Sequence, residues 1–263
     1  MDIADKVVWI TGASSGLGRA MALEFARHGG ILAVSARQME KLEEVVREIQ
    51  AYGGRAKAYY CDVMDTPSVA SCVDQIIEDF GRLDIAVANA GFGVIGKMEE
   101  LSDLEWNRQF AVNVTGVAMT CKYALPHLRK TKGRLALVGS VAAFVPNPGI
   151  SAYGASKAAI QNMGESLLVE LAGSGVSCTT IHPGFVESNI ARVDNSGILH
   201  PDRPDPRPAN LMWPTEKAAQ VMVKAILKRK KIVVFTGHGK VVVFLGKYFP
   251  SIIRKLVTKM TPK

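Results

Sequence analysis

Continuous apolar runs alternate along the chain with longer stretches of helical character. The apolar runs predict buried strands at residues 6–10, 31–35, 56–61, 83–88, 134–139, 176–181 and 232–235. The stretches between them predict helices at residues 19–28, 39–51, 67–80, 103–129, 152–171 and 215–229. Apolar strands that alternate with helices are typical of a parallel sheet covered by helices on both faces. The pattern therefore predicts an α/β fold with a doubly wound parallel sheet.

No short repeat or low-complexity linker interrupts this alternation, so we expect one Rossmann-type domain across residues 1–263. Two segments depart from the pattern. Residues 188–213 contain several prolines, which disfavour regular structure and predict a long loop. Residues 239–263 form a basic, amphipathic C-terminal segment.

The C-terminal segment separates apolar from basic side chains. On a helix that starts at Pro250, one arc of about 140° holds the apolar residues Ile252, Ile253, Leu256, Val257 and Met260. The other side holds Arg254, Lys255 and Lys259. This face suits peripheral contact with an anionic membrane surface, but packing on the domain or on a sister subunit is the interpretation that the sequence favours. Nucleic acid is not expected, because no aromatic platform or groove-reading motif accompanies the charge.

The net charge of +8 is unevenly distributed. Glu216 is the last acidic residue, and twelve cationic residues follow it, so the chain up to that point is acidic by about four units.

A composition of 48% hydrophobic and 21% charged residues excludes a disordered chain. We expect a cytoplasmic location, because we find neither a secretory signal nor an apolar run of membrane-spanning length. The four cysteines have no metal or disulfide spacing, so neither a metal site nor a disulfide is predicted.

A glycine-rich loop joins the first strand to the first helix. Missing side chains let backbone N–H groups approach a pyrophosphate, and the helix N-terminus favours an anion. The residues expected to form this cradle are Gly12, Ser14, Ser15, Gly16, Leu17 and Gly18. The spacing is Gly-x3-Gly-x-Gly rather than the commoner Gly-x-Gly-x-x-Gly, so an ordinary glycine-rich turn is the alternative interpretation.

The residue at the end of the second strand favours NADP(H) over NAD(H). A carboxylate there would bind both ribose hydroxyls and repel a 2′-phosphate. This chain has Arg37 instead, whose guanidinium is suited to a phosphate, although it could also pair with Glu40 or Glu43. After the third strand, Asp62 and Val63 are expected at the adenine edge, with a loop-capping role for Asp62 as the alternative.

The candidate catalytic residues are Ser140, Tyr153 and Lys157. Tyrosine and lysine four residues apart share one face of a helix, and an ammonium there is expected to lower the phenol's pKa from about 10. Ser140 ends a predicted strand and could present its hydroxyl beside the phenol. Such a group could exchange a proton with a carbonyl oxygen. A chance pair on a solvated face is the alternative for the tyrosine and lysine alone.

Over nearly its whole length the chain resembles the short-chain dehydrogenase/reductase family. Its opening loop, residues 11–18, matches the family's Thr-Gly-x3-Gly-x-Gly motif, and Ser140, Tyr153 and Lys157 have the usual separations. Further matches are Asn89-Ala90-Gly91 after the fourth strand, Asn113, and Pro183-Gly184-Phe185-Val186. Two positions depart from the family pattern: Ala88 replaces the first Asn of its turn, and Ser188 stands where a Thr often contacts the nicotinamide carboxamide.

The resemblance implies an NADPH-dependent oxidoreductase that interconverts a carbonyl and a secondary alcohol. Tyr153 would exchange the proton, Ser140 would bind the same oxygen, and Lys157 would bind the nicotinamide ribose. Asn113 would hold a water that links the lysine to solvent. Cofactor contacts are implied for Asn89, Ala90, Gly91, Pro183, Gly184, Val186 and Ser188.

Residues 188–213 resemble the family's variable substrate lid. The apolar character of the predicted crevice suggests an apolar or lipid-like small-molecule substrate, and the alternative is that these apolar residues pack only on each other. Family members are commonly homodimers or homotetramers. The alternatives to the enzyme are a catalytically silent NADP(H)-binding protein and a membrane-associated interaction protein.

Overall fold

The computed structural model describes residues 3–260. Its strands are β1 (Val7–Thr11), β2 (Ile31–Ala36), β3 (Arg55–Tyr60), β4 (Ile85–Ala88), β5 (Arg134–Val138), β6 (Ser177–His182) and β7 (Ile232–Val234). Its α-helices are α1 (Gly16–Arg27), α2 (Met39–Ala51), α3 (Thr66–Phe80), α4 (Asp103–Phe110), α5 (Gly116–Thr131), α6 (Ser151–Glu170), α7 (Thr215–Leu227), α8 (Gly237–Tyr248) and α9 (Pro250–Met260).

The seven strands form one parallel sheet in the order β3-β2-β1-β4-β5-β6-β7. The chain winds outwards from β1 in one direction and from β4 in the other, which confirms the predicted doubly wound α/β fold. In such a sheet ligands bind beyond the carboxyl ends of the strands, near the point where the winding reverses. That point lies between β1 and β4.

Helices cover both faces of the sheet, and each face has its own apolar core. One core contains Phe25 of α1, Leu42 of α2 and Met222 of α7. The other contains Ile76 of α3 and Leu128 of α5, together with side chains of α6. Because β1, β4 and β5 are covered on both sides, they are apolar at consecutive positions, whereas the edge strand β3 alternates. This is why the sequence predicted them.

One predicted helix differs in the structure. Residues 103–129 do not form a continuous α-helix, because a π-helical turn, Ala111–Thr115, separates α4 from α5. A π-turn adds a residue to the helical turn and rotates the following side chains, and such turns often occur at functional sites. The turn contains Asn113, whose side chain is fully buried.

The two segments outside the strand–helix alternation, residues 188–213 and the C-terminal segment, differ in their content of regular secondary structure. Residues 188–213 contain two short 3₁₀ turns, at Asn189–Arg192 and Ala209–Leu211, and isolated β-bridges at Val193, Leu199 and Trp213, in agreement with the predicted loop. The C-terminal part is more ordered than its sequence suggested, because α8 precedes the amphipathic helix α9. Within residues 3–260, no helix has both the length and the apolar character needed to cross a membrane.

Candidate active site

The glycine-rich loop makes a tight turn between β1 and α1. Gly12 and Gly16 have φ values of 66° and 52°, in the left-handed region where a side chain is disfavoured. At Gly18 a Cβ would lie 2.3 Å from the Gly12 carbonyl oxygen, so only glycine fits this approach. Ser15, the residue before α1, makes no capping bond through its side chain, and the first turn has no acidic residue. The first N–H groups of α1 are therefore suited to an anionic group.

Asn89 and Thr11 brace this loop. The Asn89 amide donates to the backbone oxygens of Thr11 at 2.9 Å and Gly12 at 3.3 Å. The Thr11 hydroxyl accepts from the backbone N–H groups of Asn89 and Ala90, both at 3.1 Å. Two chain segments separated by more than 70 residues are thereby fixed against each other at the carboxyl ends of β1 and β4.

A cleft of about 540 Å³ runs along this end of the sheet. All of the predicted catalytic and cofactor-binding residues line it except Asn113: Gly12, Ser14, Ser15, Gly16, Leu17, Gly18, Arg37, Asp62, Val63, Asn89, Ala90, Gly91, Ser140, Tyr153, Lys157, Pro183, Gly184, Val186 and Ser188. The cleft joins the glycine-rich loop at one end to Tyr153 and Lys157 at the other. Its lining suits an extended dinucleotide, with its pyrophosphate at the N-terminus of α1.

The end of the cleft beside β2 is cationic. Arg37 is exposed there, and no ion pair among the described residues joins it to Glu40 or Glu43. Lys41, which the sequence analysis did not single out, lines the same end. Asp62 borders the cleft, and its carboxylate also accepts from the Met64 N–H at 3.0 Å, so it does cap its own loop.

Lys157 is 4% exposed and its ammonium donates to the Val138 carbonyl oxygen at 2.9 Å. Burial lowers the pKa of Lys157 to about 8, because desolvation disfavours the charged form. Desolvation also raises the pKa of the Tyr153 phenol, against the opposing effects of Ser140 and Arg207. The pKa of this phenol is therefore raised overall rather than lowered as expected, with the Lys157 Nζ 5.8 Å from the tyrosine ring centroid.

Asn113 lies behind the cleft wall as a hydrogen-bonding hub. Its Oδ1 accepts from the Phe92 N–H at 3.0 Å, and its amide donates to the Phe92 carbonyl oxygen at 2.9 Å and to the Ser156 hydroxyl at 3.2 Å. The π-turn between α4 and α5 brings its amide to these partners. Asn113 thus joins the segment after β4 to α6, which carries Tyr153 and Lys157. Its water-holding role stays a prediction.

His182, at the end of β6, is a contact that the sequence analysis missed. Its Nδ1–H donates to the Ser140 carbonyl oxygen at 3.0 Å, and its ring is fully buried. Burial lowers the pKa of His182 to about 4, so the imidazole is neutral at pH 7. The ring fills the space beside Gly139, where a Cβ would lie 2.6 Å away. His182 therefore fixes the backbone that presents Ser140.

Arg207, in the loop over the cleft, is the second residue that was missed. Its guanidinium donates to the carbonyl oxygens of Val186 and Ser188, both at 2.9 Å, and forms an ion pair with Asp205 at 2.7 Å. These bonds tie the loop to the segment after β6. Its charge also favours the phenolate of Tyr153. Since its partners in the segment after β6 are backbone carbonyls, which every residue has, no sequence motif marks this interaction.

The cysteines and the candidate metal ligands of the described residues lie as follows. All four cysteines are buried and free. Residues 3–260 contain no cluster of three or more His, Cys, Asp or Glu side chains placed to hold a metal ion.

Comparisons with known proteins agree with this geometry. The family model described as short chain dehydrogenase matches residues 6–198. An 11-beta-hydroxysteroid dehydrogenase A from Sesamum indicum is 32% identical over 259 residues, which cover 96% of this chain and 74% of that protein. The chain spans about half the length of several other curated relatives that it matches.

Two solved structures show the same fold with bound nicotinamide cofactors. A short-chain dehydrogenase/reductase from Burkholderia phymatum, in complex with NAD, has a TM-score of 0.85 at 26% identity and covers 96% of both chains. An alcohol dehydrogenase from Thermococcus sibiricus, complexed with 5-hydroxy-NADP, has a TM-score of 0.76 at 29% identity, covering 88% of this chain and 95% of that one. The chain belongs to the short-chain dehydrogenase/reductase family, whose members are NAD(P)-dependent oxidoreductases acting on CH–OH groups.

Proposed function

We propose that this protein is an NADPH-dependent reductase that converts a ketone on an apolar skeleton to a secondary alcohol, and the reverse. The observation that supports this most directly is the shared cleft: Ser140, Tyr153 and Lys157 border the same space as the glycine-rich loop. The nicotinamide would supply the hydride, while the protein aligns the carbonyl and handles its proton.

In this proposal Tyr153 donates its phenolic proton to the carbonyl oxygen during reduction. A phenol whose pKa is raised by burial stays protonated at pH 7, which is the form that reduction requires. The Ser140 hydroxyl donates to the same oxygen and stabilises the charge that develops on it. Lys157 retains its ammonium below about pH 8 and would bind the nicotinamide ribose.

The catalytic assignment is tested by NADPH oxidation with a panel of carbonyl compounds. Tyr153→Phe keeps the ring and removes the proton donor, so we expect turnover to fall by about 10²-fold or more while NADPH still binds. Equal turnover by the variant would exclude Tyr153 as the donor. NADPH binding without turnover by the unmodified protein on every carbonyl would instead support the catalytically silent alternative.

The preference for NADPH rests on Arg37, with Lys41 beside it. An arginine free of carboxylate partners can bind a 2′-phosphate through charge-assisted hydrogen bonds, each contributing about 1.5–3 kcal/mol. We therefore expect Arg37→Gln to lower the ratio of kcat/KM for NADPH over NADH by about tenfold or more. The matched control is Arg47→Gln on the exposed face of α2, outside the cleft. A protein that prefers NADH before any substitution would overturn this part of the proposal.

The proposal of an apolar substrate is supported by apolar side chains that line the substrate end of the cleft. Phe92, Ile190, Val193 and Leu199 contribute apolar side chains there, and the steroid-dehydrogenase name of the sesame relative points in the same direction. Arg108 lines the same region. The carbonyl panel should therefore pair small polar ketones with steroid, acyl and retinoid carbonyls, and a preference for the polar ketones would contradict the proposal.

The proposed unit is one domain, residues 1–263, with residues 188–213 as a substrate lid, assembled as a homodimer or homotetramer. Light scattering during size-exclusion chromatography measures this directly, and a monomer would contradict it. The proposed location is the cytoplasm, with peripheral contact to a membrane through residues 239–263. Cell fractionation tests this location.

A further inference from the structure

The last two helices carry an exposed apolar surface. Six large side chains on α8, on α9 and at the residue between them are each between 45% and 59% exposed: Val241, Phe244, Tyr248, Phe249, Ile252 and Leu256. The three aromatic rings lie close together, since the ring centroids of Phe244 and Tyr248 are 5.1 Å apart and those of Phe244 and Phe249 are 6.0 Å apart. We call this set of six residues the C-terminal apolar surface. Contiguous apolar patches of this kind usually mark an interaction site.

Cationic side chains accompany the surface on the same two helices. Lys240, Lys247, Arg254, Lys255 and Lys259 are all exposed. Among the described residues, no ion pair holds a lysine or arginine beyond Arg207. No carboxylate side chain follows Glu216 in the sequence. The positive charge around the apolar surface is therefore not neutralised within this part of the molecule.

The rest of the protein holds the two helices in position without covering this surface. Gly246 packs so closely on the segment after β5 that a Cβ would lie 2.4 Å from the Phe144 carbonyl oxygen. Ile253 of α9 is 6% exposed and so turns inwards. The apolar side chains thus divide into an inner set that attaches the helices and the outer set defined above. The apolar arc of α9 is therefore divided between Ile253, which is buried, and Ile252 and Leu256, which are exposed.

We propose that the C-terminal apolar surface docks on an anionic lipid bilayer, a binding activity beyond hydride transfer. Apolar and aromatic side chains ringed by cations match the interfacial region of such a membrane, where apolar groups enter the acyl boundary and cations meet lipid phosphates. A second copy of this chain fits less well. A twofold contact through the same surface would bring cations against cations, with no carboxylate in the segment to separate them.

Sedimentation of the full-length protein with sucrose-loaded vesicles tests the proposal. We expect binding to phosphatidylcholine vesicles that contain phosphatidylserine, weaker binding to phosphatidylcholine alone, and loss of binding as salt is raised. Arg254→Glu/Lys255→Glu and Phe244→Ser/Ile252→Ser should each lower the partition coefficient by about tenfold or more. Absence of binding to the anionic vesicles would overturn the proposal.

The charge-matched control is Lys122→Glu/Lys130→Glu, which reverses two exposed cations on α5. It should bind vesicles like the unmodified protein, and an equal loss would show that net charge alone, rather than this surface, is responsible. Thermal unfolding and NADPH turnover of a water-soluble carbonyl check that each variant is folded, and the vesicle result stands whichever substrate is used. A concentration-dependent dimer that the Phe244→Ser/Ile252→Ser variant loses, without vesicle binding by either protein, would identify a second copy as the occupant instead.

Discussion

Lys157 should make the protein less stable at neutral pH than a methionine would at the same position. Lys157 is 4% exposed, and its ammonium donates a hydrogen bond to the Val138 carbonyl oxygen. Among the described residues, no ion pair joins this ammonium to a carboxylate. Burial lowers its pKa from 10.5 to about 8. We therefore expect Lys157→Met, which has similar length and no charge, to raise the free energy of unfolding at pH 7.

The magnitude follows from the pKa shift. A shift from 10.5 to about 8 corresponds to about 3 kcal/mol of destabilisation, at about 1.4 kcal/mol per unit. Removing the hydrogen bond to Val138 costs about 1 kcal/mol in the variant. The net gain expected at pH 7 is about 2 kcal/mol, and it belongs to a residue that we place in catalysis, so NADPH turnover should be lost while stability rises.

The pH dependence has a definite sign. Between pH 8 and 10.5 the unfolded lysine binds more protons than the folded one, so the unfolding free energy of the unmodified protein rises with pH over this window. The destabilisation is complete below about pH 8 and is progressively relieved above it. The advantage of Lys157→Met should therefore shrink as the pH is raised and be close to zero near pH 10.

Urea unfolding followed by tryptophan fluorescence at pH 7, 8, 9 and 10 measures both quantities, without added cofactor. Lys122→Met, which removes an exposed ammonium from α5, is the control and should differ from the unmodified protein by a constant amount. A Lys157→Met variant that is less stable at pH 7, or whose advantage does not change up to pH 10, would refute the reasoning.

Two further predictions concern the cofactor loop and the lid. Gly18→Ala should weaken NADPH binding in calorimetry by about tenfold or more, because its Cβ would lie 2.3 Å from the Gly12 carbonyl oxygen; Gly237→Ala, with no atom within 4 Å, should leave binding unchanged. Arg207→Ala should lower kcat/KM by about tenfold or more, since it removes charged hydrogen bonds to two backbone carbonyls. Arg203→Ala, at an exposed position of the same loop, should retain activity, and equal losses would contradict a specific role for Arg207.

The sequence predicted the parts of the molecule that depend on local pattern. Buried parallel strands are continuous apolar runs, and a glycine-rich turn before a helix follows from backbone sterics, so both can be predicted from the sequence. The π-turn at Asn113 was not predicted, because Ala111–Thr115 contains neither glycine nor proline, and Gly116 directly after it is helical as the first residue of α5. Its cause lies in long-range contacts, since Asn113 bonds to Phe92 and Ser156, which are distant in sequence.

Helix α8 was missed for a related reason. It contains Gly237, Gly239 and Gly246 and the β-branched run at residues 241–243, a composition with low intrinsic helix propensity. Two of these glycines permit close packing: a Cβ at Gly246 would lie 2.4 Å from the Phe144 carbonyl oxygen, and one at Gly239 would lie 3.2 Å from the Val141 side chain. Two of the residues that weaken the helix locally therefore let it pack on the segment after β5.

The two ends of the cleft also differ in how far they could be predicted from the sequence. The cofactor end is formed by residues that directly follow β1, β2, β3 and β4, and the sequence identified most of them. The substrate end depends on Arg207, whose bonds to Val186 and Ser188 join the loop over the cleft to the segment expected beside the nicotinamide. Because one side chain connects both segments, we expect substitutions near it to change the KM for the carbonyl and the KM for NADPH together. Substitutions at Arg37, at the opposite end of the cleft, should change only the KM for the cofactor.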